Sequence, residues 1–349
     1  MIQTQYFQVD NQQPDKAVLA QAAHILSNGG LVAFPTETVY GLGANGLDAQ
    51  AVAGIFQAKG RPSDNPLILH IADPSDVLQL VEKVPANAKA LMERYWPGPL
   101  TLVMERKSVV PDRVTGGLNT VAVRLPDSAI ARELIRLAQV PIAAPSANRS
   151  GRPSPTTAEA VIADMTGRIQ AIIDGGPCTI GVESTVVDCT TPVPTLLRPG
   201  GITLEMLEET LGEIEIDPAL GQADSIPRAP GMKYKHYAPS APMILIDGAQ
   251  DSIAAALAEK VRQAVREGKR VGAVVSAETA LLLPAQAVCA VYGPRGDAGQ
   301  IAGNLYTALL SFDQNPVDII YAEGISECGL GLAVMNRLRK AAGYKILQV

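Results

Sequence analysis

The C-terminal third of the chain alternates regularly between strand-like and helix-like segments, and this pattern restricts the fold more than any other feature. Short apolar runs predict strands at residues 243–246, 271–275, 287–292 and 318–322, and each is followed by a segment with helical periodicity. Strands that alternate with helices in this way are typical of a parallel sheet. The sequence therefore predicts a small, Rossmann-like parallel α/β domain over residues 241–349.

The first two thirds of the chain contain a less regular mixture of strands and helices. Its predicted strands lie at residues 31–34, 66–71, 100–105, 120–125, 141–144, 171–174, 184–188 and 195–197. Asp48 and Gly60 are typical start and stop signals for one of the helices between them. The last three strands are short and favour antiparallel pairing. We therefore predict an α/β domain around a twisted mixed sheet over residues 1–211.

Residues 212–240 separate these two domains and have the composition of a linker. The segment contains four prolines and little periodicity, which argues against a packed element. Residues 230–239 (PGMKYKHYAP) are nevertheless dense in Lys, His and Tyr, which is unusual for a spacer. We hypothesise that this part of the linker lies across a ligand site as a lid.

Composition and charge exclude several classes of protein. Residues 1–215 hold 16 Lys and Arg against 23 Asp and Glu, so this part is no basic nucleic-acid domain by bulk charge. No apolar run reaches the roughly 18 residues of a membrane span, and the polar N-terminus lacks the features of a signal peptide. We therefore expect a cytoplasmic protein without a membrane partner. Four cysteines without a CxxC pair and only three histidines predict no metal cluster.

Cationic residues nevertheless occur at selected places in the first domain. Lys59 and Arg61 flank Gly60 at a predicted helix end, Arg124 lies in an otherwise apolar strand, and Arg198 ends another strand. A charge in an apolar strand, such as that of Arg124, needs a partner. Together these cations suit a multiply charged anion such as ATP. The alternative for Lys59 and Arg61 is stabilisation of the helix dipole alone.

Two further stretches permit more than one interpretation. Gly41, Gly43 and Gly46 match the GxGxxG pattern, but six residues separate them from the preceding strand, so tight turns are favoured over a dinucleotide site. The loop at residues 145–156 can present backbone N–H groups to a phosphate, or it can simply precede a helix that Thr157 caps. His70 lies in an apolar strand and is either a core histidine or a ligand contact.

Taken together, these motifs resemble a known family, the YrdC/Sua-type threonylcarbamoyl-AMP synthases. The motifs are PTETVYGLG at 35–43, KGRPSDNPL at 59–67, PSANRSGRPSPT at 145–156, ESTVVD at 183–188, LRPGG at 197–201 and PGMKYKHYAP at 230–239. The last motif, followed by a small α/β domain, is similar to the longer, two-domain form. The resemblance implies a YrdC-like catalytic domain, a lid over its active site and a C-terminal Sua-type domain.

The resemblance also implies a reaction. A nucleotidyltransferase of this family converts L-threonine, bicarbonate and ATP into L-threonylcarbamoyladenylate and pyrophosphate, with Mg²⁺ accompanying ATP. The product enters the threonylcarbamoyladenosine modification of tRNA, so a functional hand-off to the tRNA threonylcarbamoyl transferase complex is expected. Weak binding of tRNA or other RNA is a further expectation.

The resemblance assigns roles to individual residues of this sequence. Lys59, Arg61 and Arg124 are the implied catalytic residues. The implied ATP contacts are Lys59, Ser63, Asn65, Thr120, Ser146, Ser154, Arg198 and, from the linker, Tyr237. The implied threonine contacts are Thr36, His70, Arg124, Ala144 and Ser184, with Arg124 as the partner of the threonine carboxylate.

Three other functions stay open at this point. An RNA-binding module of the YrdC type would use the clustered cations without making an adenylate. A carbamoyltransferase of the hydrogenase-maturation type would be expected to bring zinc-finger and acylphosphatase-like segments, which this sequence lacks. A dinucleotide oxidoreductase would depend on the weak GxGxxG match.

Overall fold

The structure is a computed structural model that describes residues 2–221 and 236–349. These residues form two compact units. The first contains residues 2–150, 154–179 and 183–221, and the second contains residues 151–153, 180–182 and 236–349. Within the predicted lid, residues 230–235 lie outside the described residues. The predicted boundaries at residues 211, 212–240 and 241 stay predictions.

The first unit is built on one mixed sheet. Its strands are β1 (Gln5–Gln8), β2 (Val32–Phe34), β3 (Gly41–Asn45), β4 (Ile68–His70), β5 (Leu100–Glu105), β6 (Thr120–Arg124), β7 (Ile142–Ala143), β8 (Ala171–Asp174), β9 (Thr185–Asp188), β10 (Thr195–Arg198) and β11 (Glu215–Ile216). Its helices are α1 (Lys16–Ser27), α2 (Ala49–Lys59), α3 (Ala86–Tyr95), α4 (Asp112–Thr115), α5 (Ala129–Ala138), α6 (Ala158–Met165) and α7 (Leu204–Leu211). Two 3₁₀ turns, Pro74–Gln79 and Pro218–Gly221, complete the unit.

Strand order and pairing confirm the predicted mixed α/β fold. The order is β1-β8-β2-β3-β7-β4-β6-β5-β9-β10-β11. Strands β4 and β6 are parallel, as are β5 and β9, whereas β5 and β6 are antiparallel. The carboxyl ends of β4 and β6 therefore meet the amino ends of β5 and β9. This edge collects several of the polar residues that the sequence singled out.

Helix signals in the sequence match the observed caps. The Asp48 carboxylate accepts hydrogen bonds from the backbone N–H groups of Gln50 and Ala51 and starts α2. Gly60 ends the helix in the left-handed conformation, at φ 62°, which glycine adopts without the steric cost of a Cβ. The basic residues Lys59 and Arg61 are thereby fixed at a defined helix end.

The expectation that the glycines at 41–46 form tight turns is wrong for Gly41 and Gly43, which lie inside β3. Only Gly46 is in a turn. A Cβ on Gly43 would lie 2.8 Å from both the Ile142 Cγ2 and the Phe34 Cε1 atoms. These glycines therefore make room for side chains of the neighbouring strands, and the dinucleotide interpretation loses its structural context.

This packing gives a stability prediction. Gly43→Ala should lower the free energy of unfolding by about 1–3 kcal/mol, because the added methyl overpacks the site between Ile142 and Phe34. Urea denaturation followed by circular dichroism measures the change. Gly54→Ala in α2 is the matched control, since its Cβ would meet Leu31 atoms only at 3.5 Å and alanine favours a helix. An unchanged denaturation midpoint in Gly43→Ala would contradict the packing argument.

A short strand lies within the predicted linker segment. Residues Glu215–Ile216 form β11, which pairs in parallel with β10 through the partners Thr195–Glu215 and Leu196–Ile216. Both residues of β11 are exposed, so the strand lengthens the sheet edge without being buried in the core. A strand of two residues leaves no periodicity in the sequence, so only its partner β10 could define it.

The second unit confirms the predicted parallel α/β domain. Its strands are β12 (Met243–Asp247), β13 (Val271–Ser276), β14 (Val288–Gly293), β15 (Ile319–Glu323) and β16 (Ile346–Gln348), in the order β14-β13-β15-β12-β16. Its helices are α8 (Gln250–Arg266), α9 (Ala277–Ala280), α10 (Ala298–Leu310) and α11 (Gly331–Ala341), with a 3₁₀ turn at Ser311–Asp313. All strand pairs are parallel. In the described parts of the chain, no helix has both the length and the apolar character to cross a membrane.

Candidate functional site

A row of polar side chains crosses the sheet of the first unit where β4, β6, β5, β9 and β10 lie side by side. His70 on β4 is the register partner of Arg124 on β6, and Arg124 is the partner of Thr101 on β5. Ser184 immediately precedes β9, and Arg198 ends β10. We call these five residues, together with Glu37, the Arg124 cluster. Each of the five is 5% exposed or less, so the cluster is a polar site inside the fold.

Hydrogen bonds connect three members of the cluster, Thr101, Ser184 and Arg198. The Ser184 hydroxyl lies 2.8 Å from the Thr101 hydroxyl and accepts a hydrogen bond from the Arg198 guanidinium at 3.1 Å. Arg198 Nε also donates to the Ser184 carbonyl at 3.0 Å. The short strands β9 and β10 thus hold the buried Arg198 against Ser184, the serine to which the family resemblance gives a contact with threonine.

Arg124 is held by an acidic residue that sequence reasoning did not assign. Arg124 Nη2 lies 2.6 Å from Glu37 Oε1, and the two side chains are 4% and 8% exposed. Arg124 Nε donates to the Gly98 carbonyl at 3.3 Å. Because a buried guanidinium in an apolar strand needs a counterion, the sequence signals an acidic partner for Arg124, with the motif carboxylates, Glu37 among them, as candidates.

His70 is neutral in the folded protein. Burial, and then the positive charge of Arg124, lower the pKa of the His70 imidazole to about 3. Its ring makes an edge-to-face contact with Phe34, with the centroids 6.3 Å apart. Its Nδ1 atom is buried and has no hydrogen-bond partner among the described residues. His70 can therefore offer a neutral ring nitrogen next to Arg124.

The lowered pKa of His70 predicts how stability depends on pH. The unfolded imidazole takes up a proton near pH 6.5 and the folded one only near pH 3, so the unfolded state binds the extra proton between these values. The stability associated with neutral His70 should be complete above about pH 6.5 and fall as the pH is lowered toward 3, by at most about 1.4 kcal/mol per pH unit. Urea denaturation across this range measures it. His70→Gln should show a shallower slope, and identical slopes would contradict the prediction.

A second polar group surrounds Lys59 at the end of α2. The Lys59 ammonium donates to the backbone carbonyls of Ser146 and Asn148, the latter at 2.6 Å. The Ser146 hydroxyl donates to the Asn148 amide oxygen at 2.6 Å, and the Ser150 N–H donates to the Lys59 carbonyl at 2.9 Å. Burial, and then the nearby Arg61 charge, hold the pKa of Lys59 well below its usual value. The helix end and the loop after β7 therefore form one structure, the Lys59 loop.

Consecutive residues connect the Lys59 loop region to the Arg124 cluster. The Ser154 hydroxyl donates to Glu183 Oε1 at 2.6 Å, and Glu183 is followed directly by Ser184. Thr157 caps α6, as one interpretation of the loop at 145–156 predicted. The loop has a second role, because its Asn148 carbonyl accepts a hydrogen bond from Lys59. The Ser154 hydroxyl of this loop is thus bonded to the residue that directly precedes Ser184 of the Arg124 cluster.

The segment after α2 contributes residues of different exposure. Ser63 is exposed, whereas Asn65 is 1% exposed. Both polar atoms of the Asn65 amide are buried and have no hydrogen-bond partner among the described residues. The Arg61 guanidinium donates to the Pro66 carbonyl at 3.4 Å. A buried amide without partners is costly, and a ligand contact would explain it.

The remaining predicted residues lie in more varied places. The Thr36 hydroxyl donates to the Val39 carbonyl at 2.7 Å and shapes the turn that carries Glu37. Ala144 is buried directly after β7. Thr120 begins β6 and Arg124 ends it, so the two lie at opposite ends of a strand of five residues. Tyr237 lies in the second unit, buried and at φ 64°, with its ring 5.3 Å from that of Tyr306.

The structure therefore brings together most but not all of the predicted site. His70, Arg124, Ser184 and Arg198 share one row, and Lys59 and Ser146 share one loop. Sequence reasoning missed four residues as parts of these groups: Glu37, Thr101, Asn148 and Glu183. No group of three or more His, Cys, Asp or Glu side chains suited to a metal ion occurs within residues 2–221 and 236–349.

Two family models match the chain. The Sua5, YciO and YrdC model, described as "Telomere recombination", matches residues 24–200. A model described as "Threonylcarbamoyl-AMP synthase, C-terminal domain" matches residues 202–343. The two matches cover both of the predicted α/β domains.

Individual relatives agree with these models. A threonylcarbamoyl-AMP synthase of Pyrococcus abyssi is 52% identical over 329 residues, which cover 94% of this chain and 95% of that protein. One of Bacillus subtilis is 50% identical over 331 residues, which cover 95% and 94%. The crystal structure of P. abyssi Sua5 complexed with L-threonine has a TM-score of 0.94 and 50% identity, with 99% of this chain and 100% of that chain covered.

These similarities extend over nearly the whole chain and include both parts of the longer form. They confirm the family that the sequence motifs predicted. The chain therefore belongs to the threonylcarbamoyl-AMP synthase family, in the form that carries the additional C-terminal domain.

Proposed function

We propose that this protein is an L-threonylcarbamoyladenylate synthase, a nucleotidyltransferase that converts L-threonine, bicarbonate and ATP into L-threonylcarbamoyl-AMP and pyrophosphate. The observation that supports this function best is the connection of two buried cationic groups in one unit. The Arg124 cluster and the Lys59 loop are joined by the consecutive residues Glu183 and Ser184. Two anionic substrates that must react with each other need such neighbouring cationic sites.

The proposed chemistry proceeds through a carbamate. Threonine amine and bicarbonate give the N-carboxylate and water, and a carboxylate oxygen then attacks the α-phosphorus of ATP while pyrophosphate leaves. Both reactants are anionic, so the protein must neutralise charge and align the groups. In this proposal Lys59 and Arg198 face the phosphates, and Arg124 binds the threonine carboxylate.

The neighbours of these cations would orient the substrates. We assign Ser63, Asn65, Thr120, Ser146, Ser154 and Tyr237 to ATP, with Arg61 as an additional cation near its phosphates. We assign Thr36, His70, Ala144 and Ser184 to threonine. The buried amide of Asn65 and the buried Nδ1 of His70 support these assignments, since each lacks a partner among the described residues.

Magnesium would enter with the nucleotide. The ion would be bound to the ATP phosphates and to water, which is the usual coordination of Mg²⁺ in enzymes that use nucleotides. The ion would neutralise phosphate charge as part of the MgATP substrate.

The synthase reaction would be the first step of tRNA threonylcarbamoyladenosine formation, and its product would be passed to the tRNA threonylcarbamoyl transferase complex. Direct RNA binding without adenylate synthesis is the less favoured alternative, because the cations of the site are buried rather than arranged as an exposed basic surface. Weak tRNA contact at another surface stays compatible with the synthase.

One assay tests the proposed function. The purified protein is incubated with MgATP, bicarbonate and each amino acid in turn, and pyrophosphate and the adenylate are measured, the latter by mass spectrometry. We expect pyrophosphate and L-threonylcarbamoyl-AMP in equal amounts with threonine only. Salt-dependent retention of RNA without any adenylate would instead favour the RNA-binding alternative.

A further inference from the structure

The side chain of Glu37 is more deeply buried than its position in a turn would require. It is 8% exposed, and its Oε1 atom lies 2.6 Å from Arg124 Nη2. Both carboxylate oxygens are buried, and neither has a hydrogen-bond partner of good geometry among the described residues. The ion pair is therefore close in distance but leaves the acceptor capacity of the carboxylate largely unused.

A buried carboxylate of this kind calls for an explanation. A carboxylate can accept about four hydrogen bonds, and a buried acceptor without a donor costs roughly 1–3 kcal/mol. The ion pair brings only Oε1 of Glu37 close to Arg124, whose guanidinium also donates to the Gly98 carbonyl. The second oxygen, Oε2, has no such task within the described chain.

The turn around Glu37 holds this carboxylate in place. The Thr36 hydroxyl donates to the Val39 carbonyl and accepts from the Val39 N–H, which closes the turn on itself. The Glu37 carbonyl accepts a hydrogen bond from the Thr179 hydroxyl at 3.3 Å. A side chain on such a fixed backbone can serve a ligand without a large entropic cost.

We infer that Glu37 binds the α-ammonium group of threonine while Arg124 binds its α-carboxylate. This inference rests on the proposed function and goes beyond it in assigning a substrate-binding role to Glu37. An amino acid is a zwitterion whose two charges lie close together, and Arg124 and Glu37 present the complementary charges side by side. The competing explanation is that Glu37 only positions Arg124 as its counterion.

Direct binding of two ligands separates these explanations. Isothermal titration of the full chain with L-threonine and with (R)-3-hydroxybutanoate, which has the hydroxyl and carboxylate but no ammonium group, should show a strong preference for threonine. In Glu37→Gln, a variant of nearly the same shape, the threonine affinity should fall about 10- to 100-fold, as expected for loss of a charge-assisted contact. The affinity for 3-hydroxybutanoate should not fall, because Arg124 keeps its charge and loses its buried counterion.

The other outcomes are equally decisive. An equal loss of both ligands in Glu37→Gln would overturn the inference, because it would show that Glu37 acts through Arg124. Unchanged threonine binding would also overturn it. Failure of the wild-type protein to bind threonine would refute the proposed function itself, and the inference with it.

A second variant guards against a change in folding. Glu37→Asp keeps the charge but withdraws it by one methylene, so its threonine affinity should lie between those of the wild type and Glu37→Gln, with 3-hydroxybutanoate again unaffected. Circular dichroism melting of each variant verifies the fold. A threonine affinity in Glu37→Asp as low as that of Glu37→Gln, together with weakened 3-hydroxybutanoate binding, would count against the inference.

Discussion

Arg124→Ala is expected to abolish threonine-dependent pyrophosphate release, with a loss of at least about 10³-fold in kcat/KM for threonine. The substitution removes the proposed partner of the threonine carboxylate. It also leaves Glu37 as a buried carboxylate without its counterion, in a place where the two side chains are 8% and 4% exposed. The pyrophosphate assay at saturating MgATP and bicarbonate measures the loss.

The same substitution should destabilise the protein. Breaking a buried ion pair by removing one partner typically costs about 3–5 kcal/mol, because the remaining charge stays desolvated. Arg124→Ala combined with Glu37→Gln removes both charges and should regain much of this stability while staying inactive. Urea denaturation and the pyrophosphate assay on the single and double variants would separate the folding effect from the catalytic one.

A surface arginine provides the matched control for Arg124. Arg136 pairs with Glu133 on the surface at 2.6 Å, and its side chain is 59% exposed. Arg136→Ala should change stability by less than about 1 kcal/mol and leave turnover unchanged. Near-normal turnover in a folded Arg124→Ala would remove Arg124 from the mechanism.

The sequence predicted the general architecture because long elements have strong local signals. The parallel C-terminal domain followed from the alternation of apolar runs with helical periods, and α2 followed from its caps at Asp48 and Gly60. The motifs then identified the family, and the comparisons confirm it. Short elements escaped prediction, among them β1, β11 and β16, since two to four residues are too few to show a period.

The site was predictable in its residue types but not in its geometry. That Arg124 needs a partner follows from its place in an apolar strand, yet which carboxylate pairs with it depends on how the turn at Glu37 folds against β6. The row from His70 through Arg124 to Thr101 exists because β4 and β5 flank β6 in one particular register. Strands β4 and β6 are not joined by a hairpin turn, so their register depends on how their buried faces pack in the folded sheet.

The glycines at positions 41 and 43 show the same limit. Their spacing suggested turns, but the requirement that they satisfy comes from Phe34 on β2 and from Ile142 and Ala144 on or beside β7. These neighbours are close in the sheet and distant in sequence. The missing Cβ atoms of these glycines leave space for bulky side chains such as Phe34, which contacts His70. This requirement comes from the tertiary packing and not from the local sequence.

Lys59→Met is the second substitution with a very large expected effect. It keeps the length and apolar stem of the side chain but removes the ammonium that donates to the Ser146 and Asn148 carbonyls. We expect kcat/KM for ATP to fall by about 10²- to 10³-fold, the usual consequence of losing one group that stabilises transition-state charge. Pyrophosphate release at varied MgATP measures this loss. Lys83→Met is the control, because Lys83 is 72% exposed in a surface ion pair and should show normal kinetics.

The charge state of Lys59 offers a readout that a merely structural lysine would not give. Burial and Arg61 hold its pKa well below the usual value, so part of the population is neutral at alkaline pH. A bound triphosphate would supply negative charge and raise that pKa again, so ATP binding at alkaline pH should take up protons. Titration calorimetry in two buffers of different ionisation enthalpy measures this uptake, which should disappear in Lys59→Met. Equal proton uptake in the wild type and in Lys59→Met would show that Lys59 does not face the phosphates. The main phosphate contact would then be assigned to Arg198 or Arg61.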